Sequence, residues 1–120
     1  MAVHNDLGHR GEAIAAQFLM DKGFRILHTN WLYGKAEVDI IAAYDRYIIF
    51  VEVKTRSSTD FGQPEEFVSP SKQRRLQWAA EGYIYQAQYK GEIRFDIVSV
   101  LFDMRGRYTV RHIEDAFWDF

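Results

Sequence analysis

The stretch EVDIIAAYDRYIIFVEVK, residues 37–54, decides how this chain is read. Glu37 to Ala43 and Tyr47 to Thr55 are rich in Val, Ile and Phe, and Tyr44-Asp45-Arg46-Tyr47 supplies a short turn between them, so the spacing predicts a β-hairpin. Both faces of the hairpin are apolar near the turn, which predicts central strands with helices packed on the sheet. Side chains alternate along a strand, so Glu52 and Lys54 share one face and Val51 and Val53 the other. With Asp45-Arg46 as the loop tip, Asp39 lies opposite Glu52 and Glu37 opposite Lys54.

Opposed like charges destabilise a sheet by roughly 0.2–1 kcal/mol, more where partly buried, so a cation is expected between Asp39 and Glu52. Lys54 supplies part of that charge. A hard divalent ion, Mg²⁺ or Mn²⁺, suits the site better, because it takes one or two carboxylates plus water and substrate phosphate. Such an ion would polarise a phosphoryl oxygen and lower the pKa of a bound water, with the Val53 carbonyl as a further ligand. Lys54 is then placed to hold or deprotonate that water, or to balance charge in the transition state. A Glu-x-Lys on a strand is more often a solvated face or an ion pair. Here it is embedded in Ile48-Ile49-Phe50-Val51-Glu52-Val53-Lys54, where charges need partners.

Working outward, a helix is expected from about Leu7 to Lys22, capped by Asp6 and stopped by Gly23. Phe24 to Tyr33 reads as extended, and Gly34 breaks it. Ser57 to Ser69 is a long polar loop with Gly62 and Pro64. Ser69-Pro70 opens a second helix, with Ser69 as N-cap, running to about Tyr89 with Gly91 as its end. Ile93 to Leu101 and Tyr108 to Ile113 are strands around a turn at Asp103 to Gly106. The tail, Glu114 to Phe120, is aromatic and suits a short helix that docks or mediates self-association. The expected order is α-β-β-β-α-β-β in one domain spanning residues 1–120.

The 120 residues are 48% hydrophobic and 16% aromatic, enough for a real core. The net charge of −2 argues against a general nucleic-acid coat protein, though not against an enzyme whose basic residues gather on one surface. The absence of cysteine excludes disulfides and thiolate zinc sites. Met1 to Gly11 carries no apolar run resembling a signal peptide, and no stretch approaches a membrane span, so a cytoplasmic protein is expected.

The Asp39 … Glu52-x-Lys54 pattern resembles the PD-(D/E)xK, or restriction-endonuclease-like, nuclease superfamily. More closely, the chain is similar to the YraN-like uncharacterised bacterial family. That likeness runs through Gly8-x-x-Gly11-Glu12, Gly23-Phe24, Asn30, Glu37-Val38-Asp39-Ile40-Ile41-Ala42, Phe50-Val51-Glu52-Val53-Lys54-Thr55-Arg56, Phe61-Gly62, Lys72, Arg94-Phe95-Asp96 and Ala116-Phe117. One departure is Ala36, where that family usually has Gly. The motif layout is also similar to that of archaeal Holliday junction resolvases. The resemblance implies an α/β restriction-endonuclease-like core, a mixed central sheet flanked by helices, and hydrolysis of DNA phosphodiester bonds. It implies that Glu12 joins Asp39, Glu52 and Lys54 as catalytic residues, and joins Asp39, Glu52 and Val53 around the metal. Without it, Glu12 reads as an acidic residue favoured by the helix dipole.

Arg56, Lys72, Arg74 and Arg75 are candidates for a phosphate-binding rim, Lys72 foremost, and a solvated helix start explains the last three equally well. For Glu37, an ion pair to Lys54 and metal ligation both stay open. Arg94 and Asp96 read as a structural ion pair. His4, His9, His28 and His112 have no ligand-like spacing. The expected function is a Mg²⁺- or Mn²⁺-dependent endonuclease on DNA, with branched or recombination intermediates as substrate and a symmetric homodimer suited to paired cuts. The alternatives are a nuclease fold that binds nucleic acid or a partner protein without cutting, and a purely structural acidic cluster.

Overall fold

The computed structural model describes residues 3–57 and 68–117, with side chains from Leu7 onward. The polar loop from Thr59 to Phe67 with Ser58, and the tail from Trp118 to Phe120, lie outside the described residues, as do the expectations placed on them. The chain runs α1 (Val3–Asp21), β1 (Arg25–Tyr33), β2 (Ala36–Tyr44), β3 (Tyr47–Ser57), α2 (Pro70–Ala87), β4 (Glu92–Phe102) and β5 (Tyr108–Ile113). The expected element order holds. The strands form one mixed sheet in the order β1-β2-β3-β4-β5. All neighbours are antiparallel except β3 and β4, which run parallel because α2 carries the chain back between them.

The helices end where local chemistry ends them. Gly23, at φ 98°, follows α1, and the Gly23 and Phe24 N–H groups close onto the Met20 and Leu19 carbonyls. α1 begins earlier than expected, at Val3, so Asp6 falls inside the helix rather than before it. Ser69 caps α2 through its hydroxyl on the Lys72 N–H, with Pro70 opening the helix. The other end differs from expectation. Gln88, at φ 54°, takes the left-handed position and caps onto Ile84 and Tyr85, so α2 stops before Gly91.

The two-residue turn at Asp45-Arg46 is as expected, with Tyr44 paired to Tyr47 and the register held to Ile40–Val51. Both faces of the sheet are covered. α1 packs Ala15 and Leu19 against Ile40, Ala42, Ile49, Val51 and Val98. α2 packs Leu76, Ala79 and Ala80 against Val38, Ile41, Phe50, Phe95 and Ile97. Burying an aromatic such as Phe50 or Phe95 contributes about 2–3 kcal/mol.

The tail is not a helix as far as it is described. Ala116 donates its N–H to the Phe95 carbonyl at 2.7 Å, and Phe117 stacks on Phe95 at 5.2 Å. These contacts dock Ala116 and Phe117 on the sheet.

Candidate active site

The site forms where the alternation of β2 slips once. Val38 and Ile40, two residues apart, pack on opposite faces of the sheet, so the strand loses its period at Asp39. Pairing between β1 and β2 skips Asn30 and Asp39, and pairing between β2 and β3 stops at Ile40–Val51. Asn30 lies at φ 50°, a conformation that Asn tolerates better than most residues. Irregularities of this kind re-aim side chains beside active sites.

The slip frees the Asp39 carboxylate from the ladder. Its Oδ2 accepts the Val53 N–H at 2.8 Å, replacing the backbone bond the hairpin would have made there. Asp39 and Glu52 therefore sit one step past the last backbone pair instead of forming one. Within a strand residue the N–H and C=O point to the same edge. The Val53 carbonyl thus faces the gap beside Asp39. Burial, then the nearby Glu52 charge, push the Asp39 carboxyl up to about 7, against the opposing bond from Val53; Glu12 adds to the rise and Lys72 opposes it.

Glu52 points to the α2 side and is 3% exposed. Its Oε2 meets Lys72 Nζ at 2.7 Å, and its Oε1 is buried with no hydrogen-bond partner. Lys54 follows on the same strand face. Burial and the adjacent Arg56 lower its pKa, while Glu52 and Asp39 pull it back. Glu37 is not brought across to Lys54, because the β2–β3 pairing ends at Ile40–Val51. It pairs with Leu32 on β1 and is exposed, so the expected Glu37–Lys54 pair does not form.

Glu12 enters from the other side of the sheet. Gly11, beside it on α1, lies so close to β3 that a Cβ there would overlap the Thr55 side chain. This approach brings Glu12 over the open end of β1 and β2, where Oε1 accepts the Asn30 side-chain amide at 3.0 Å. Asn30 had no assigned role in the sequence. Its one local signal is an isolated Asn in an extended stretch, the residue type suited to a left-handed kink. Among the described residues, no three histidine or carboxylate side chains converge to hold one ion. Glu12 acts on Asp39 through its charge, as Glu52 does more strongly, while the Asp39 carboxylate sits on the Val53 N–H.

Of the basic residues, Lys72 and Arg75 line a cleft with Lys35, Ala36, Glu37, Asp39 and Leu76. Lys72 is committed to Glu52. Arg56 lies two residues beyond Lys54 and donates to the Thr55 carbonyl at 3.1 Å. Arg74 is exposed on α2. Ala36 is buried in a strand without positive φ, so the backbone demands no glycine there. Arg94 and Asp96 form the expected ion pair, with two bonds of 2.9 Å, on the α1 face of β4. Neither helix is long and apolar enough, among the described residues, to cross a membrane.

Comparison with known proteins agrees on one family. The model of an uncharacterised protein family, UPF0102, matches residues 11–100. A UPF0102 protein of Flavobacterium psychrophilum is 48% identical over 120 residues, covering 100% of both chains. Relatives from Phocaeicola vulgatus and Bacteroides fragilis are 42% and 44% identical over 118 residues, covering 98% of this chain and 97% of theirs. The chain is a mixed α/β protein and belongs to the UPF0102 family, whose name assigns no activity.

Proposed function

We propose that this protein is a divalent-metal-dependent nuclease of the restriction-endonuclease-like type, hydrolysing DNA phosphodiester bonds, with branched or otherwise structured DNA as its substrate. The observation that carries the reading is the Glu52 carboxylate. An ionised group taken out of water costs several kcal/mol unless it is well partnered, and buried polar atoms are seldom left unbonded. Glu52 keeps one oxygen without a partner and the other on a lysine. The donor set of two carboxylates and a carbonyl suits a hard ion, Mg²⁺ or Mn²⁺. Asp39 and Glu52 would hold it, with the Val53 carbonyl, and Glu12 would add its charge from α1.

When bound, such an ion polarises the phosphoryl oxygen and acidifies a water. The chain's own residues supply the rest. Lys54, on the face of Glu52 and with a lowered pKa, orients the attacking water and offsets developing charge. Arg75 and Lys35 line the approach to Asp39 and meet phosphate oxygens, with Arg56 at the end of β3. Lys72 balances Glu52 while no ion is bound, and turns to phosphate once one is.

A panel of linear, single-stranded, flap and four-way-junction DNA, each with Mg²⁺ and Mn²⁺, tests the reading. Cleavage of at least one substrate is expected, lost in Glu52→Ala and Lys54→Ala. Cleavage that survives both substitutions overturns the assignment. The Lys72–Glu52 contact also favours a second reading, in which the lysine is a permanent partner and the fold binds DNA without cutting. Salt-dependent binding with no cleavage on any substrate would select it.

A further inference from the structure

Beside the cleft, one flank of α2 carries an aromatic residue that the core does not use. Trp78 is 49% exposed. Its ring meets Tyr33 edge-on at 4.6 Å, and Tyr33 in turn stacks on Trp31 at 5.8 Å. Tyr33 lies against Gly82, where a Cβ would overlap the phenol ring. The rim of Trp78 rests over Gly34, where an added Cβ would come within 3.0 Å. The indole is thus fixed at its edge by rigid neighbours while much of its surface faces water. A tryptophan that merely filled a gap would be buried, as Phe50 and Phe95 are.

Its position is as informative as its exposure. Arg75 and Trp78 are three residues apart on α2 and so are neighbours on the helix surface, as are Lys72 and Arg75. Gly34, under Trp78, is followed by Lys35, which lines the cleft with Asp39, Lys72 and Arg75. A strip therefore leads from Asp39, across three cations, to an exposed indole. The cations suit phosphates and the indole suits the face of a base. A duplex hides its base faces in the stack, whereas a single strand offers them, and basic grooves with aromatic platforms are the usual means of holding single strands.

We infer that the Lys35–Arg75–Trp78 strip holds an unpaired, single-stranded stretch of nucleic acid leading into the cleft, with one base stacked on Trp78. This rests on the nucleic-acid reading of the adjoining site and narrows it to substrates with a single-stranded arm.

The test is binding without cleavage. Full-length protein in EDTA is titrated into a labelled twelve-nucleotide oligothymidylate and, separately, into a blunt duplex of the same length, with anisotropy as readout. Trp78→Ala should weaken oligothymidylate binding about tenfold, the loss expected for one stacked base, and leave duplex binding unchanged. Trp78→Phe should keep most of the affinity, and should lose the quenching of intrinsic fluorescence that oligothymidylate causes in the native protein. Native protein that prefers the duplex, or a Trp78→Ala variant that binds both probes as the native protein does, overturns the inference. So does a Trp78→Ala variant that changes only the sedimentation coefficient, which would make this flank a protein contact. If this binding pattern holds while no substrate is cut, the strip stands and the nuclease reading alone fails.

Discussion

Two buried carboxylates in this protein have opposite surroundings. Asp96 is fully buried on the α1 side of the sheet, and its oxygens are saturated. Arg94 donates twice, the Asp115 N–H once at 3.0 Å, and His112 Nε2 lies at 2.8 Å. His112 Nδ1 lies 2.7 Å from Lys22 Nζ, so the two contacts fit a ring that donates from Nε2 to Asp96 and accepts from the lysine at Nδ1. Burial pushes the Asp96 carboxyl up, but the bonds from His112, Arg94 and Asp115 outweigh it and hold it below its usual value. Glu52, on the α2 side, has one lysine and a bare oxygen. Its neighbour Asp39 is pushed up to about 7. A network with every member bonded holds elements together, here α1, β4 and β5. The Glu52 pair has no such closure, with one oxygen left unbonded.

If the comparison is right, the largest loss of stability belongs to Asp96. Asp96→Ala leaves Arg94 and His112 without their buried partner and should cost about 3–5 kcal/mol, read as a lower urea midpoint. A loss under about 1 kcal/mol would mean that the saturated network contributes little.

The second effect is one of pH. A carboxyl raised in the folded state stabilises the fold fully below its ordinary pKa of 3.8, and that contribution is lost as pH rises through about 7. In EDTA, native protein should therefore lose stability relative to Asp39→Asn between about pH 4 and about pH 7, by roughly 4 kcal/mol. Parallel pH profiles for the two proteins would place Asp39 in an ordinary, solvated setting.

A smaller effect sharpens the role of Lys72. Its side chain is 38% exposed, so the pair with Glu52 is partly screened. Lys72→Met should cost about 1 kcal/mol in EDTA and at the same time strengthen Mn²⁺ binding, because a competing cation is gone. Weaker Mn²⁺ binding in that variant would make Lys72 a support for the site and not a stand-in for the ion.

What the sequence made legible follows from how local each signal is. The turn at Asp45-Arg46, the Ser69-Pro70 helix start and the Gly23 stop are set by residues next to one another. They fixed the element order and the hairpin register. Glu52 and Lys54 on one face, and the Arg94–Asp96 pair, followed from a period of two along single strands. The slip at Asp39 did not, because its partner irregularity, Asn30, lies on another strand. The Lys72–Glu52 and Asn30–Glu12 contacts join distant segments with no spacing rule between them. His112 was set aside for lack of ligand-like spacing, and its place beside Asp96 depends on the pairing of β4 with β5, which puts it across from Val98. Gln88 ends α2 by adopting a left-handed conformation three residues before the glycine that composition favoured.

The central claim is that the open carboxylate of Glu52 is a seat for a divalent ion. Its most direct test is Mn²⁺ binding to the native protein and to Glu52→Gln, followed by electron paramagnetic resonance of free Mn²⁺. The account predicts that the native protein takes up Mn²⁺ and that Glu52→Gln, folded and of near-native stability, does not. Equal uptake by the two proteins, or none by the native one, would contradict it.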